Sequence, residues 1–143
     1  MTAAAVLRAA GPADAGPLLA LVRLLDPERS EADLALRLAA LPDGHAVLLA
    51  ERDAAPVGWL HLFLAWRLTS PPFAEIGGLA VAPGHRRQGV GRQLLAAGEA
   101  WARERGAAAL RVRVAEQREE APALYRAAGF RPLKRQQVFA KDL

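Results

Sequence analysis

The stretch "AVAPGHRRQGVGRQLL", residues 80–95, leaves an apolar, strand-like run, gathers two arginines, a glutamine and two glycines at positions 86–91, and resumes at once with helical spacing. A strand, a glycine-rich turn and a helix start together make an anion site. The first N–H groups of a helix have no intrahelical partners, and the helix dipole favours negative charge there. Gly89 and Gly91 let the backbone come close to a guest. Arg86, Arg87 and Arg92 add positive charge. Phosphate or pyrophosphate is the natural occupant.

Three spellings of a phosphate site are separable. The P-loop pattern GxxxxGK[ST] is absent, since the chain has no Gly-Lys pair. A dinucleotide fingerprint GxGxxG fails because its third glycine would fall on Leu94, and because it belongs after the first strand of its fold. The third spelling fits, Arg/Gln-x-x-Gly-x-Gly/Ala, here Arg86-Arg87-Gln88-Gly89-Val90-Gly91 behind a strand through Leu79 and Val81.

Outside that stretch, the chain reads as one domain over residues 1–143, with 52% hydrophobic and 24% charged residues, an ordinary globular balance. It has no cysteine, so no disulfide, zinc-thiolate site or cysteine nucleophile is available. Three scattered histidines, His45, His61 and His85, argue against a metal site. No apolar run reaches bilayer length and the first residues lack a signal-like apolar core, so a cytoplasmic protein with no membrane partner is expected. The net charge is +4, but acids interleave with the bases in "EAWARERG" and "AEQREEAP". That is a mixed solvated surface and no nucleic-acid footprint.

The pattern predicts strands in "AAVLRAAG", on either side of a turn near Asp53–Ala55, in "FAEIGGLAVAP", in "AALRVRV" and in "LKRQQVFAKDL". Helices are expected in "ADAGPLLALVRLL", in "SEADLALRLAALPDG" with Ser30 as N-cap, over residues 90–105 and in "EEAPALYRAAGF". The class is α/β (α+β), a mixed sheet of six to seven strands with about four helices.

The phosphate spelling resembles the acetyl-CoA site of the GNAT N-acetyltransferases. "ALYRAAGF", residues 123–130, is similar to the family's Leu-Tyr-x-x-x-Gly-Phe, and "FAEI", residues 73–76, to the strand that carries a catalytic glutamate in histone acetyltransferases. The resemblance is tight over residues 73–143 and topological before that. It implies acetyl-CoA as co-substrate without a metal, with Arg86, Arg87, Gln88, Gly89, Val90, Gly91 and Arg92 at the pyrophosphate. The backbone of Leu79, Ala80 and Val81 would lie along the pantetheine arm. Glu75 is the implied general base and Tyr125 the general acid that protonates the departing thiolate. His61 is an alternative base. Where many members carry an Asn after the fifth strand, this chain has Arg118 or Ala115, depending on the subfamily aligned.

Residues 23–33 and "RLTSPPF", residues 67–73, are expected to set the acceptor, and Trp66 is the tryptophan expected to reach it. A small-molecule amine is favoured by the chain's size and by the ending "FAKDL", which is similar to the Phe-x-Lys-x-Leu ending of some aminoalkylphosphonate acetyltransferases. A protein amine and a non-catalytic acyl-CoA-binding module are the alternatives. A homodimer is compatible with the reading.

Overall fold

The computed structural model describes residues 4–118 and 120–143. Glu119, expected beside the start of the last helix, lies outside the described residues. The described chain divides after Arg113 into two compact units.

The first unit is built on a five-stranded sheet of β1 (Val6–Ala9), β2 (His45–Arg52), β3 (Ala55–Ala65), β4 (Phe73–Val81) and β5 (Leu110–Val112), in that spatial order. β1 to β4 pair antiparallel, and β5 joins β4 in parallel. The β2–β3 turn carries positive φ at Asp53 (51°) and Ala54 (61°), the left-handed geometry that suits a tight hairpin to the twist of its strands. Three helices accompany the sheet: α1 (Ala15–Val22), α2 (Glu31–Ala39) and α3 (Val90–Glu104). α2 begins where the sequence places it, with Ser30 Oγ accepting from the Asp33 N–H at 3.1 Å.

Side chains alternate along each strand, so the sheet has two distinct faces. α3 covers one. A Cβ on Gly98 would stand 3.1 Å from Leu60 Cδ2 and 3.3 Å from Leu62 Cδ2, so the missing side chain sets how near this helix comes. Val90, Leu94 and Leu95 are buried in the same layer. On the opposite face Leu18 and Leu21 of α1 and Leu34 of α2 pack with Leu49, Trp59 and Ala80. Burial of each large side chain here contributes about 1.5–3 kcal/mol. Trp59 also fixes α1 by donating its Nε1–H to the Leu21 carbonyl at 3.1 Å.

One irregularity matters for the site. β3 and β4 pair in register as far as His61 opposite Gly78, and again from Leu62 opposite Ile76, which leaves Gly77 as an extra residue in a β-bulge. The glycine pair stands at this bulge. It makes room, because a Cβ on Gly77 would stand 2.5 Å from His61 Nδ1, and one on Gly78 would stand 2.5 Å from Trp59 Cη2.

The second unit holds α4 (Ala121–Ala127), with Pro122 in its first turn. It ends at Gly129, whose φ of 93° turns the chain so that the Phe130 N–H reaches the Tyr125 carbonyl at 2.9 Å. The sheet has five strands, not six to seven: "LKRQQVFAKDL" forms no strand, and Leu133, Val138 and Phe139 are exposed. A strand exists only as part of a ladder, and α4 is the one regular element described in this unit.

Candidate active site

The turn between β4 and α3 runs directly from the strand into a helix N-terminus. Pro83–His85 form a single 3-10 turn, Arg87 takes a positive φ of 60°, and Gly89 caps α3 with φ 84°. A Cβ on Gly89 would meet nothing within 4 Å, so packing does not explain this glycine. Its left-handed backbone does, together with open space beside it. Val90 and Gly91 are buried in the first turn of α3, while Arg86, Arg87, Gln88 and Arg92 are exposed. These exposed arginines thus lie in and just after the turn that opens α3, whose leading N–H groups have no intrahelical acceptor.

Gln88 is anchored to the sheet. Its side-chain oxygen accepts from Arg52 Nη1, and the same guanidinium lies 3.2 Å from His85 Nδ1. Arg52 ends β2, so it ties the turn to the sheet from a strand that the sequence did not connect with it.

Upstream, β4 changes neighbours halfway along. Its parallel pairing with β5 runs from Ala74 opposite Leu110 to Ile76 opposite Val112 and stops there. Beyond Ile76, the Leu79, Ala80 and Val81 backbone pairs with β3 alone among the described strands. Such a one-sided strand end can accept an extended, amide-bearing ligand as a further strand would be accepted.

Glu75 lies on the paired half of β4, opposite Phe63 on one side and Arg111 on the other. Its side chain is mostly buried at 14% exposure, and Oε1 accepts from Arg113 Nε at 3.2 Å. Phe63, His61 and Trp59 alternate along β3, so Glu75 shares the face that α1 and α2 cover further along. On that face His61 Nε2 and His45 Nδ1 are 2.9 Å apart, their rings stacked at 5.1 Å, and His45 stacks on Phe63 at 5.3 Å. Burial, with a smaller contribution from His45, pushes the His61 imidazole below its ordinary value, so it is neutral at pH 7. Neither this pair nor the Arg113 contact is legible in the local sequence. Register would have been needed, since His45 and His61 are sixteen residues apart and meet only through the β2–β3 hairpin. Trp66 follows the end of β3 and is exposed.

In the second unit, Tyr125 sits on α4 with its ring edge-on to Phe130, centroids 5.5 Å apart. Burial raises its phenol above the ordinary value, and Arg118 opposes that shift weakly. The hydroxyl is therefore protonated at neutral pH.

The profile of the acetyltransferase (GNAT) family matches residues 18–130, from α1 through the glycine turn to Phe130. The chain belongs to the GNAT acetyltransferase family. It is an acetyl-CoA-dependent N-acetyltransferase, and its fold is the GNAT fold. Solved structures agree over nearly the whole length. An aminoglycoside 6'-N-acetyltransferase from Acinetobacter haemolyticus superposes with a TM-score of 0.85 at 24% identity, covering 96% of this chain and 99% of that one. Another aminoglycoside N-acetyltransferase, in complex with a CoA-containing bisubstrate analogue, gives 0.84 at 21% identity, covering 99% and 100%. A third, from an uncultured soil sample and bound to sisomicin, gives 0.80 at 20% identity, covering 97% and 96%. At these identities the likeness carries the fold and leaves the acceptor open. No curated relative matches the chain. Among the described residues no cluster of metal-ligating side chains forms, and no helix is long and apolar enough to cross a membrane.

Proposed function

We propose that this GNAT acetyltransferase moves the acetyl group of acetyl-CoA to the primary amine of a small molecule, with Glu75 as general base and Tyr125 as general acid. The observation that carries the reading is the layout of β4. One strand holds a mostly buried carboxylate, then a backbone segment paired with β3 alone among the described strands, then a left-handed, arginine-bearing turn into a helix N-terminus.

In this reading the pyrophosphate is held by N–H groups of residues 88–92, and Arg86, Arg87 and Arg92 neutralise its charge. The pantetheine arm pairs with Leu79–Val81, which sets the thioester carbonyl against a backbone N–H that stabilises developing negative charge. An alkylammonium of pKa near ~10 gives a proton to Glu75, directly or through one water, and the neutral amine attacks the carbonyl carbon. The new C–N bond forms and the C–S bond breaks. The sulfur leaves as a thiolate and takes the Tyr125 proton, while the amide nitrogen loses its second proton to solvent. Residues 1–143 act as one acetyltransferase domain in the cytoplasm. The small-molecule acceptor draws support from the structural neighbours, which are aminoglycoside-modifying enzymes.

Two isosteric variants test the roles. Glu75→Gln is expected to lower kcat by about 10²–10⁴ at pH 7 and by much less near pH 9.5, where the amine deprotonates unaided. Tyr125→Phe should lower kcat by about 10² with acetyl-CoA affinity unchanged, and a donor with a more acidic thiol should recover the loss. A defect in Glu75→Gln that is equal at both pH values removes it as the base. Normal turnover by Tyr125→Phe removes the phenol as the acid.

A further inference from the structure

The surroundings of Glu75 are cationic where a polyamine acceptor would need them to be acidic. Arg111 stands beside Glu75 on β5, in register and on the same face of the sheet. Its guanidinium carbon lies 4.0 Å from the centroid of the buried Phe73 ring, and that of Arg67 lies 5.5 Å from the same ring. Arg113 is held by Glu75 itself. Three arginines thus lie around the Phe73–Glu75 segment, and among the described residues no acid is ion-paired with Arg67 or Arg111.

Two hydrogen-bonding atoms are also left over there. Arg111 Nε is buried with no hydrogen-bond partner, and so is Ser70 Oγ in the Arg67–Phe73 segment. A buried guanidinium N–H without an acceptor is destabilising, because it has lost water and gained nothing. The Phe73 ring faces the cation but offers no lone pair to its N–H groups. His61 adds no charge at neutral pH.

We propose that Arg111, assisted by Arg67, binds an anionic group of the acceptor, so that the substrate is a short amine that also carries an acid. This rests on the acetyltransferase reading and deepens it. Adjacent strands are about 4.8 Å apart, so an anion at Arg111 and an amine at Glu75 belong to a molecule in which only a few carbons separate them. A guanidinium fork suits a carboxylate or a phosphoryl group alike. A polycation would instead meet uncompensated positive charge and bind poorly.

The test compares β-alanine, 4-aminobutyrate and 2-aminoethyl phosphate with n-propylamine, n-butylamine and neamine as acceptors at fixed acetyl-CoA. The amino acids and the phosphate ester separate carboxylate from phosphoryl recognition. At least one anion-bearing amine is expected to exceed its plain counterpart in kcat/KM by 100-fold or more. Arg111→Gln should remove that advantage by raising the acceptor KM, with KM for acetyl-CoA unchanged and partial rescue in Arg111→Lys. Arg103→Gln, an exposed arginine on α3, controls for net charge. Titrating the favoured acceptor into the CoA-loaded enzyme reads the same contact without turnover, so a mistaken catalytic assignment does not mask it. Equal or better use of the plain amines or neamine, no acceptor binding to the CoA-loaded wild type, or an advantage that survives Arg111→Gln would each overturn the proposal.

Discussion

Replacing Gly78 with alanine probes β4 beside its bulge, between Glu75 and the Leu79–Val81 segment. The added Cβ would stand 2.5 Å from Trp59 Cη2, 2.7 Å from Cζ3 and 3.5 Å from Leu25 Cδ1. Carbon atoms settle near 3.5–4.0 Å, so the indole must move by about 1 Å. It cannot do so cheaply. Trp59 is buried among Leu18, Leu21, Leu34 and Leu49, and its Nε1–H is committed to the Leu21 carbonyl. Overpacking of this kind costs about 1–3 kcal/mol, and losing the hydrogen bond adds about 1 kcal/mol. The smaller unfolded-state entropy of alanine returns about 0.5 kcal/mol. A net loss of about 2–3 kcal/mol follows, a fall in Tm of roughly 6–10 °C for a chain of this size. Thermal unfolding followed by circular dichroism measures it. Gly84→Ala is the control, since its Cβ would meet nothing within 4 Å. If Gly78→Ala melts within 2 °C of wild type, Trp59 does not need the space and the explanation of the glycine is wrong.

Two further outcomes are expected. Gly89→Val and Gly89→Asn should both weaken acetyl-CoA binding by tenfold or more in calorimetry, but only valine should also lower Tm, because asparagine tolerates the left-handed φ of 84°; unchanged binding in both would sink the turn assignment. Asp14 is held at about 2, first by the Arg8 guanidinium and then by the Gly11 N–H, so the unfolded chain takes up the proton first as pH falls. Its contribution is complete above about pH 4 and gone below about pH 2. Because the group is solvent-screened, Asp14→Asn should cost only about 1 kcal/mol at pH 7. In urea titrations that difference should shrink towards pH 2.5, and a constant difference would contradict it.

Legibility followed distance along the chain. The glycine turn, the Ser30 cap and the strand carrying Glu75 were readable because each depends on residues within one turn or one strand. What escaped was everything that register decides: Arg113 on Glu75, Arg111 on Phe73, His45 on His61, and Arg52 on Gln88. These pairs are separated by sixteen to thirty-eight residues, and nothing in their local spacing links them. The last predicted strand failed for the converse reason. The composition of "LKRQQVFAKDL" describes a segment able to be a strand, but a ladder partner is not written in the segment itself.

The extra residue at Gly77 has an evolutionary consequence. It lies between the half of β4 that carries Glu75 and the half, Leu79–Val81, proposed for the donor, and the pairing with β3 is intact on both sides of it. A change around Phe73 or Glu75 that shifts or twists the upstream half can be absorbed at this joint before it reaches Leu79. The two halves can therefore diversify at different rates. Selection can try new amines at one end of a strand while the other end keeps its hold on a nucleotide thioester. A straight strand would have bound both inheritances together.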